Sequence, residues 1–299
     1  MFLCSIRFRM AAAVFGSLLI VGLLFSACKS TPVPPKEELL PSLAFMGVEA
    51  EEPGHLTLLF TLTVKNPFPS AGLVKVESWR TEINGQKVNS GFSLDGAESF
   101  PITAAEAGAW GTASLPVKLN MDMAALAAQG CVPADDYTVN LITGLAFSFD
   151  SAAPVKTEVS GLAAFPGVQA PAFSINAIAI LKAELINTRF RVTIKIDNPN
   201  PFPVELSAFS YELYGNGRLW ADGTEKNIIR LPAKSSVEGN LFLLMNFINM
   251  KRDLLDQIIR LEDVNYRFSG EARVSTGVDY LPAFVTGFDL SGYSEVLEN

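Results

Sequence analysis

Few side chains in this sequence could act as catalytic acids, bases or metal ligands. His55 is the single histidine, so a Ser-His-Asp triad or a histidine-rich metal site would depend on it alone. The paired carboxylates are Glu51-Glu52, in a turn before His55, and Asp135-Asp136. Acid–base chemistry needs two carboxylates in one site, whereas adjacent strand residues point to opposite faces. The sequence therefore predicts no catalytic residues, no metal ligands and no cofactor.

Cys28 stands in surroundings that point to a covalent modification. Arg7 and Arg9 precede an apolar run, Met10–Phe25, of about 16 residues, which is shorter than the roughly 20 residues of a membrane-spanning helix. The small pair Ser26-Ala27 separates this run from the cysteine. A basic start, an apolar middle and small residues before a cut are typical of a secretory signal.

The five residues Leu24-Phe25-Ser26-Ala27-Cys28 resemble the bacterial lipobox. In a lipobox the cysteine receives a diacylglyceryl group, and cleavage then leaves it as the first residue; the usual pattern has Leu where this chain has Phe25. We therefore predict that residues 1–27 are a cleaved lipoprotein signal peptide and that Cys28 is the lipidation site. The alternatives are a plain signal peptide cut near Ala27 and an uncleaved anchor.

A lipid on Cys28 would hold the rest of the chain on a membrane, outside the cytoplasm. Attachment by several acyl chains is lasting, because each buried CH₂ contributes about 0.8 kcal/mol. Residues 28–40 are rich in proline, which predicts an extended tether. Lys29 is not the Asp that marks inner-membrane retention in some enteric bacteria. The outer membrane is therefore favoured, with the folded part in the periplasm or at the cell surface.

Charge and cysteine content narrow the classes of partner. The formal net charge of −8 argues against nucleic acid and against an electrostatic grip on anionic lipid. Cys4 lies in the predicted signal and Cys28 at the lipidation site, which leaves Cys131 alone. We therefore expect no internal disulfide, and we expect Cys131 to be a small buried hydrophobe rather than a reactive thiol.

The chain resembles itself at an offset of 132 residues, where residues 56–91 align with residues 188–223 without gaps. The identical pairs are Thr61 and Thr193, Asn66-Pro67 and Asn198-Pro199, Pro69 and Pro201, Ser78 and Ser210, Asn84-Gly85 and Asn216-Gly217, and Gly91 and Gly223. A slip of two residues would instead match residues 66–69 with residues 200–203. In either register, turn residues and strand phase coincide, which predicts a tandem duplication.

Each copy has a strand pattern. Between residues 190 and 196, apolar side chains alternate with Arg, Thr and Lys, so one face of a strand is buried. The strand stops at Asn198-Pro199-Asn200-Pro201, because proline cannot donate to a ladder and asparagine favours a chain reversal. A hairpin turn follows at Asn216-Gly217, and the first copy repeats it at Asn84-Gly85.

One short helix is predicted in each copy. In the first, Asp122 can cap residues 123–129 and Gly130 can end them. In the second, residues 254–261 carry an apolar stripe at helical spacing.

About seven short strands and one helix per copy are typical of a β-sandwich. We predict two domains, at 41–166 and 172–292, joined by a linker over Ala164–Pro171.

An alternating strand that runs into Asn198-Pro199-Asn200 and an Asn-Gly hairpin resembles the late embryogenesis abundant type 2 family, whose module is also called the WHy domain. The first copy departs from that pattern, because Asn66-Pro67-Phe68 lacks the second asparagine. The resemblance covers roughly residues 41–290 in two modules. It implies an all-β fold of two tandem Ig/fibronectin-III-like β-sandwich domains, a link to desiccation or stress, and no catalytic residues.

Two groups of residues can each be interpreted in two ways. The amides of Asn198 and Asn200 could bind a ligand from a loop, but a turn at a strand end explains them fully. Trp79, Trp110 and Trp220 either fill cores or mark an exposed patch.

Three hypotheses for function follow. The first is a non-catalytic envelope lipoprotein that binds, scaffolds or protects at the membrane surface through protein partners. The second is a carrier of lipid or another hydrophobic ligand, or an accessory subunit of an envelope secretion complex; a large apolar cavity between the sheets would favour the carrier. The third, which the residues support least, is a carboxylate-based hydrolase. The sequence identifies no small-molecule ligand.

The lipobox assignment leads to a direct test by metabolic labelling with a fatty acid. We expect the wild-type chain and a Cys131→Ala control to incorporate the label, because both keep Cys28. The Cys28→Ala chain should incorporate none. If Cys28→Ala is still labelled, the lipidation site is elsewhere.

Overall fold

The structure is a computed structural model that describes residues 39–67, 71–95, 99–102, 111–149, 153–182, 188–245, 264–294 and 296–298. The described residues form β-strands almost throughout, which confirms the predicted all-β, sandwich-type fold. No helix in these ranges is both long and apolar enough to cross a membrane.

The first half of the described chain is a sandwich of two antiparallel sheets with one short helix. One sheet has the strand order β1-β2-β7-β5, and the other has the order β4-β3-β8-β9 with β6 beside β3. The elements are β1 (Ser42–Glu52), β2 (His55–Asn66), β3 (Gly72–Ile83), β4 (Gln86–Val88), β5 (Phe92–Asp95), β6 (Ser99–Ile102), β7 (Gly111–Asp122), α1 (Met123–Ala127), β8 (Asp136–Phe149) and β9 (Val155–Pro166).

The second half is a sandwich of the same kind. Its sheets have the orders β15-β11-β10-β18 and β13-β12-β16-β17, with β14 beside β12. The strands are β10 (Ala172–Lys182), β11 (Thr188–Asn198), β12 (Val204–Gly215), β13 (Arg218–Glu225), β14 (Ile229–Leu231), β15 (Ser235–Met245), β16 (Val264–Val278), β17 (Leu281–Ser294) and β18 (Val296–Glu298). β18 runs parallel to β10.

The repeat in the sequence corresponds to a repeat of strand order. Strands β10, β11 and β15 hold the places of β1, β2 and β7, and strands β12, β13, β14, β16 and β17 hold those of β3, β4, β6, β8 and β9. An irregularity in the ladder falls at matching places, between Val76 and Ser78 in β3 and between Ser207 and Ser210 in β12. Among the described strands, β5 and β18 are the two without a counterpart.

The two predicted Asn-Gly hairpins are present. Asn84 and Gly85 have φ angles of 48° and 80°, and Asn216 and Gly217 have φ angles of 50° and 76°. A two-residue hairpin turn of type I′ requires positive φ at both central residues, which asparagine and glycine tolerate best. These turns bring β4 back onto β3 and β13 back onto β12.

Each sandwich has its own apolar core. Along β11, Val192, Ile194 and Ile196 are buried, as the alternation predicts. The second core also holds an aromatic group in which Phe288 lies 5.3 Å from Phe209 and 5.1 Å from Phe268 between ring centroids. Burying a side chain of this size stabilises the fold by roughly 1.5–3 kcal/mol.

The first of the two predicted helices is present. The side chain of Asp122 accepts hydrogen bonds from the backbone of Ala124 and Ala125, so it caps α1 as expected, although α1 ends before residue 129. The second predicted helix, over residues 254–261, lies outside the described residues.

The predicted start of the linker at Ala164 is wrong. β9 continues to Pro166, because Phe165 pairs with Tyr137 in the ladder and their rings are 5.6 Å apart.

Candidate functional site

The Asn-Pro-Asn motif lies at the end of β11, inside the protein. Asn198 is 2% exposed. Its Nδ2 atom donates to the carbonyl oxygens of Phe202 at 2.9 Å, Pro232 at 2.8 Å and Leu231 at 3.3 Å. One amide thus satisfies a backbone carbonyl in the chain reversal that follows β11 and two carbonyls at the end of β14.

Asn200 extends this network to the linker between the sandwiches. Its backbone N–H and its Nδ2 both donate to Oδ1 of Asn198, each at 3.0 Å. Its side chain also forms a two-way clamp on Gln169: Nδ2 donates to the Gln169 carbonyl at 2.9 Å, and Oδ1 accepts from the Gln169 N–H at 2.7 Å. Both amides therefore make hydrogen bonds within the protein rather than facing a ligand.

The first copy of the motif has the same placement. Asn66 is fully buried at the end of β2, and Pro67 follows the strand directly. The residues after Pro67, from 68 to 70, lie outside the described ranges. Asn66 and Asn198 are thus equivalent in position as well as in sequence.

Tyr280 joins the two sandwiches. Its hydroxyl donates a hydrogen bond of 2.6 Å to the carbonyl of Pro166, at the end of β9. Its ring meets Phe165 edge-on at 6.0 Å, and it packs against both cores. Burial raises the pKa of Tyr280 above its usual range. It also raises the pKa of Tyr137, whose ring is tilted against that of Phe165.

Lys234 forms a second connection. Its Nζ atom donates to Oδ1 of Asp135 in the first sandwich at 2.5 Å and to the carbonyl of Pro199 at 2.7 Å. Its backbone N–H donates to the carbonyl of Asn200 at 2.9 Å. The lysine and aspartate side chains are about half exposed, so the ion pair itself adds little stability. Its effect is to hold the chain reversal at residues 198–203, which we call the corner, against the first sandwich.

A hydrogen-bonded acid lies beside the corner. The carboxylate of Asp197 accepts hydrogen bonds from Lys195 and Ser236, and both lower its pKa, with Lys195 the larger cause.

The candidate acids and the histidine lie in two separate places. His55 is exposed, and its Nδ1 atom lies 2.9 Å from Oε1 of Glu52. Both line an open cleft of about 830 Å³ between the β1–β2 hairpin and Val285 of β17. The cleft is lined further by Glu49 and Glu51. Among the described residues, no group of three His, Cys, Asp or Glu side chains could hold a metal ion.

Asp135 and Asp136, the second acidic pair, have different surroundings. Asp135 contacts Lys234, whereas Asp136 begins β8 and is exposed. The two carboxylates therefore do not share a site.

The tryptophans and Cys131 have separate environments. Trp220 is buried and stacks on Phe190 at 5.7 Å, and its indole N–H has no hydrogen-bond partner. Trp79 is 39% exposed, and Trp110 lies outside the described residues. Cys131 is partly buried against the first core.

Sequence reasoning did not find Tyr280, Lys234 or Gln169. Tyr280 and Pro166 are 114 residues apart, and Lys234 and Asp135 are 99 residues apart. A local pattern carries no signal for such pairs. The single sequence-level hint is the short stretch between β9 and β10, which forces the ends of the two sandwiches together.

Asn198→Asp tests whether the corner depends on donation by the amide. A carboxylate at this place would face three carbonyl oxygens, so we expect the free energy of unfolding at pH 7 to fall by at least about 3 kcal/mol. The loss should be smaller near pH 4, because a protonated acid can donate again. Urea unfolding at both pH values measures this. The control is Asn240→Asp, where Oδ1 already acts as an acceptor from Thr193; equal losses in both variants would contradict the assignment.

Tyr280→Phe tests the junction. Loss of the hydrogen bond to Pro166 should lower the free energy of unfolding by about 1 kcal/mol at pH 7. Since the folded-state pKa of Tyr280 is raised, its stabilisation is present below the unfolded pKa of about 10 and declines as pH rises further. The difference between wild type and Tyr280→Phe should therefore narrow above that pH in urea titrations. Tyr293→Phe, at a 78% exposed residue, serves as the control; a constant difference would contradict the role of Tyr280.

Comparisons with known proteins give one family match and several weak structural similarities. No curated protein matches the chain in sequence. A protein from Archaeoglobus fulgidus is 17% identical, with 43% of this chain and 97% of that chain covered and a TM-score of 0.28. The periplasmic chaperone SfaE is 12% identical, with 86% and 96% covered and a TM-score of 0.24. A beta-glucuronidase from Bacteroides uniformis is 11% identical, with 79% and 26% covered and a TM-score of 0.22.

These similarities are too weak to carry a functional argument. The match to a family model is more specific, because it covers residues 193–286, from within β11 to within β17, and includes the Asn-Pro-Asn corner. The model is that of the late embryogenesis abundant protein family, so the family expected from that corner is supported for the second sandwich.

Proposed function

We propose that this chain is a non-catalytic lipoprotein of the bacterial cell envelope. A lipid on Cys28 would anchor two late embryogenesis abundant type 2 modules, which bind, scaffold or protect at the membrane surface by contacts of their loops and sheet faces. The observation that carries the proposal is the corner at Asn198 and Asn200. Its polar groups, which a ligand site would need free, are used to join the linker to the second sandwich.

The connection between the sandwiches supports a scaffold with a defined shape. The clamp on Gln169 and the hydrogen bond from Tyr280 to Pro166 hold the short connection between β9 and β10. Lys234 contacts Asp135, whose carbonyl accepts a hydrogen bond from Gly167 in that connection. Two surfaces held in a set orientation can contact one partner together, which increases its effective concentration at the second surface.

The anchor supports a role at a membrane surface. The lipobox-like stretch ends at Cys28, and the first sandwich begins at Ser42. If the proline-rich tether, residues 28–40, is extended at about 3.1 Å per residue, it would reach up to about 40 Å. The two modules would then remain close to the membrane that holds the lipid.

The chemistry of the described surface favours binding over catalysis. His55 is an exposed partner of Glu52, and the acids Asp135 and Asp136 lie in different contacts. A cleft of about 480 Å³ on the outer face of the β12–β16 sheet is open and lined by hydroxyl and carboxylate side chains such as Ser210 and Glu212. An open polar cleft suits contact with a protein surface better than transport of a lipid, which needs an apolar cavity.

A pull-down from cell envelopes tests the binding role. We expect a specific partner to co-purify with the anchored chain, and to be recovered less with Cys28→Ala, because only the anchored form is concentrated at the membrane. Cys131→Ala is the matched control and should behave as wild type, since it keeps the lipidation site. If neither the anchored nor the Cys28→Ala chain recovers a partner, the scaffold proposal loses its support.

A further inference from the structure

The two sandwiches differ at one sheet edge. In the first, β5 covers the outer edge of β7, where Phe92–Asp95 pairs with residues 118–121. The side chains reinforce this pairing, because Nδ2 of Asn120 donates to Oδ2 of Asp95 at 2.6 Å. The first sandwich therefore supplies its own strand to this edge.

Among the described residues, the second sandwich has no such strand. β15 holds the place of β7, and it is the last strand of its sheet among the described residues. The cause is the length of the connection before β14. Residues 89–98 link β4 to β6 and include β5, whereas residues 226–228 link β13 to β14. Three residues span at most about 10 Å, too little to reach the other sheet, run along β15 and return.

The side chains beside this edge also differ. Phe242 and Leu244 project from the outer face of β15, 68% and 60% exposed. Their places in the ladder with β11 are those that Lys118 and Asn120 hold in the ladder of β7 with β2. β15 contains neither proline nor lysine, the residues that commonly protect a free edge from pairing. Glu238 is the one charged residue of β15, so the end of the strand around Leu243 has none of these protecting residues and is flanked by apolar side chains. We call this edge, which no described strand covers, the free edge of β15.

We propose that the free edge of β15 pairs with the β15 edge of a second copy of this chain. In an antiparallel pair with its two-fold axis at Leu243, Phe242 of each copy lies opposite Leu244 of the other. The four strands β15, β11, β10 and β18 of both copies would then form one continuous sheet of eight strands. The proposal does not depend on the lipid or on a protein partner.

A second copy fits this edge because β15 carries both features that the edge needs in an incoming strand. On the side away from β11, its backbone N–H and C=O groups pair with no described strand, and Phe242 and Leu244 present apolar side chains on the outer face. Pairing of Phe242 with Leu244 removes both from water in each copy. Aromatic and aliphatic pairs across neighbouring strands stabilise a sheet.

Charge does not oppose this arrangement. Arg189 and Arg191 lie opposite Leu244 and Phe242 on β11, one strand away from the edge. The two β11 strands in the dimer would be separated by both β15 strands, about 14 Å in total, which exceeds the screening length of about 8 Å at physiological salt. The paired segment is short, so we expect a dissociation constant on the order of micromolar.

Sedimentation equilibrium of residues 28–299 with Cys28→Ser and Cys131→Ser tests the proposal. We expect the average mass to rise from that of one chain toward that of two between low and several hundred micromolar. Phe242→Lys introduces the residue type that the first sandwich has at this place, and it should weaken the dimer by at least about tenfold. Circular dichroism should be unchanged, because Phe242 is exposed.

The matched control is Leu162→Lys, at a 61% exposed apolar residue on the edge strand β9. We expect this change to leave the dimer intact. A chain that stays monomeric at all concentrations would overturn the proposal. A dimer that Phe242→Lys does not weaken would place the contact elsewhere and would overturn it equally.

A disulfide experiment tests the register. We would prepare Phe242→Cys and Leu244→Cys as separate chains, each with the same two serine substitutions. Under mild oxidation they should cross-link when mixed, because the two positions face each other across the axis, and each chain alone should cross-link far less. Cross-linking of Phe242→Cys alone, without an increase on mixing, would contradict pairing about Leu243.

Discussion

A buried strand end must satisfy its backbone carbonyls without water, and in the second sandwich the amide of Asn198 meets this requirement. Its Nδ2 atom donates to the carbonyl of Phe202 in the turn after β11 and to two carbonyls at the end of β14, and its oxygen orients Asn200. Asn200 in turn holds Gln169 of the linker. The position of β10, and through it the start of the whole second sandwich, therefore depends on two side chains that are not exposed to a ligand.

The same constraint explains why the two sandwiches form one unit. The linker is too short to separate them, so their facing ends must be compatible in shape and polarity. Tyr280 supplies an apolar ring to both cores and a hydroxyl to Pro166, and Lys234 supplies a cation to Asp135. These contacts are modest one by one. Their effect is orientation, because they act at separate points around one linker.

Repetition of a fold does not imply repetition of its surface. Both sandwiches keep the same strand order and the same hairpin turns, which depend on buried alternation and on Asn-Gly. They differ where a connection changes length, since β5 exists in the first and residues 226–228 cannot form it in the second. The exposed side chains differ in the same way. Lys118 and Asn120 lie beside the edge that β5 covers. Phe242 and Leu244 lie beside the free edge of β15. The functional difference between the copies is thus expected at the edge of β15.

The sequence by itself determined the features that depend on neighbouring residues. Period-two alternation identified β11 and its buried face, Asn-Gly identified both hairpins, and Asp122 identified the cap of α1. The lipobox-like stretch before Cys28 is local in the same sense, although it lies outside the described residues. Local steric and hydrogen-bonding preferences are sufficient for such inferences, because each involves residues that are only a few positions apart.

Only the tertiary structure decided what these elements do together. It showed that Asn198 and Asn200 are buried and bonded to one another, that β9 continues past Ala164, and that Tyr280 and Lys234 join the sandwiches. It also placed Phe242 on a strand that has no described neighbour beyond it, which no pattern within β15 could reveal. The physical reason is the same in each case: burial and edge pairing depend on strands brought together from distant parts of the chain.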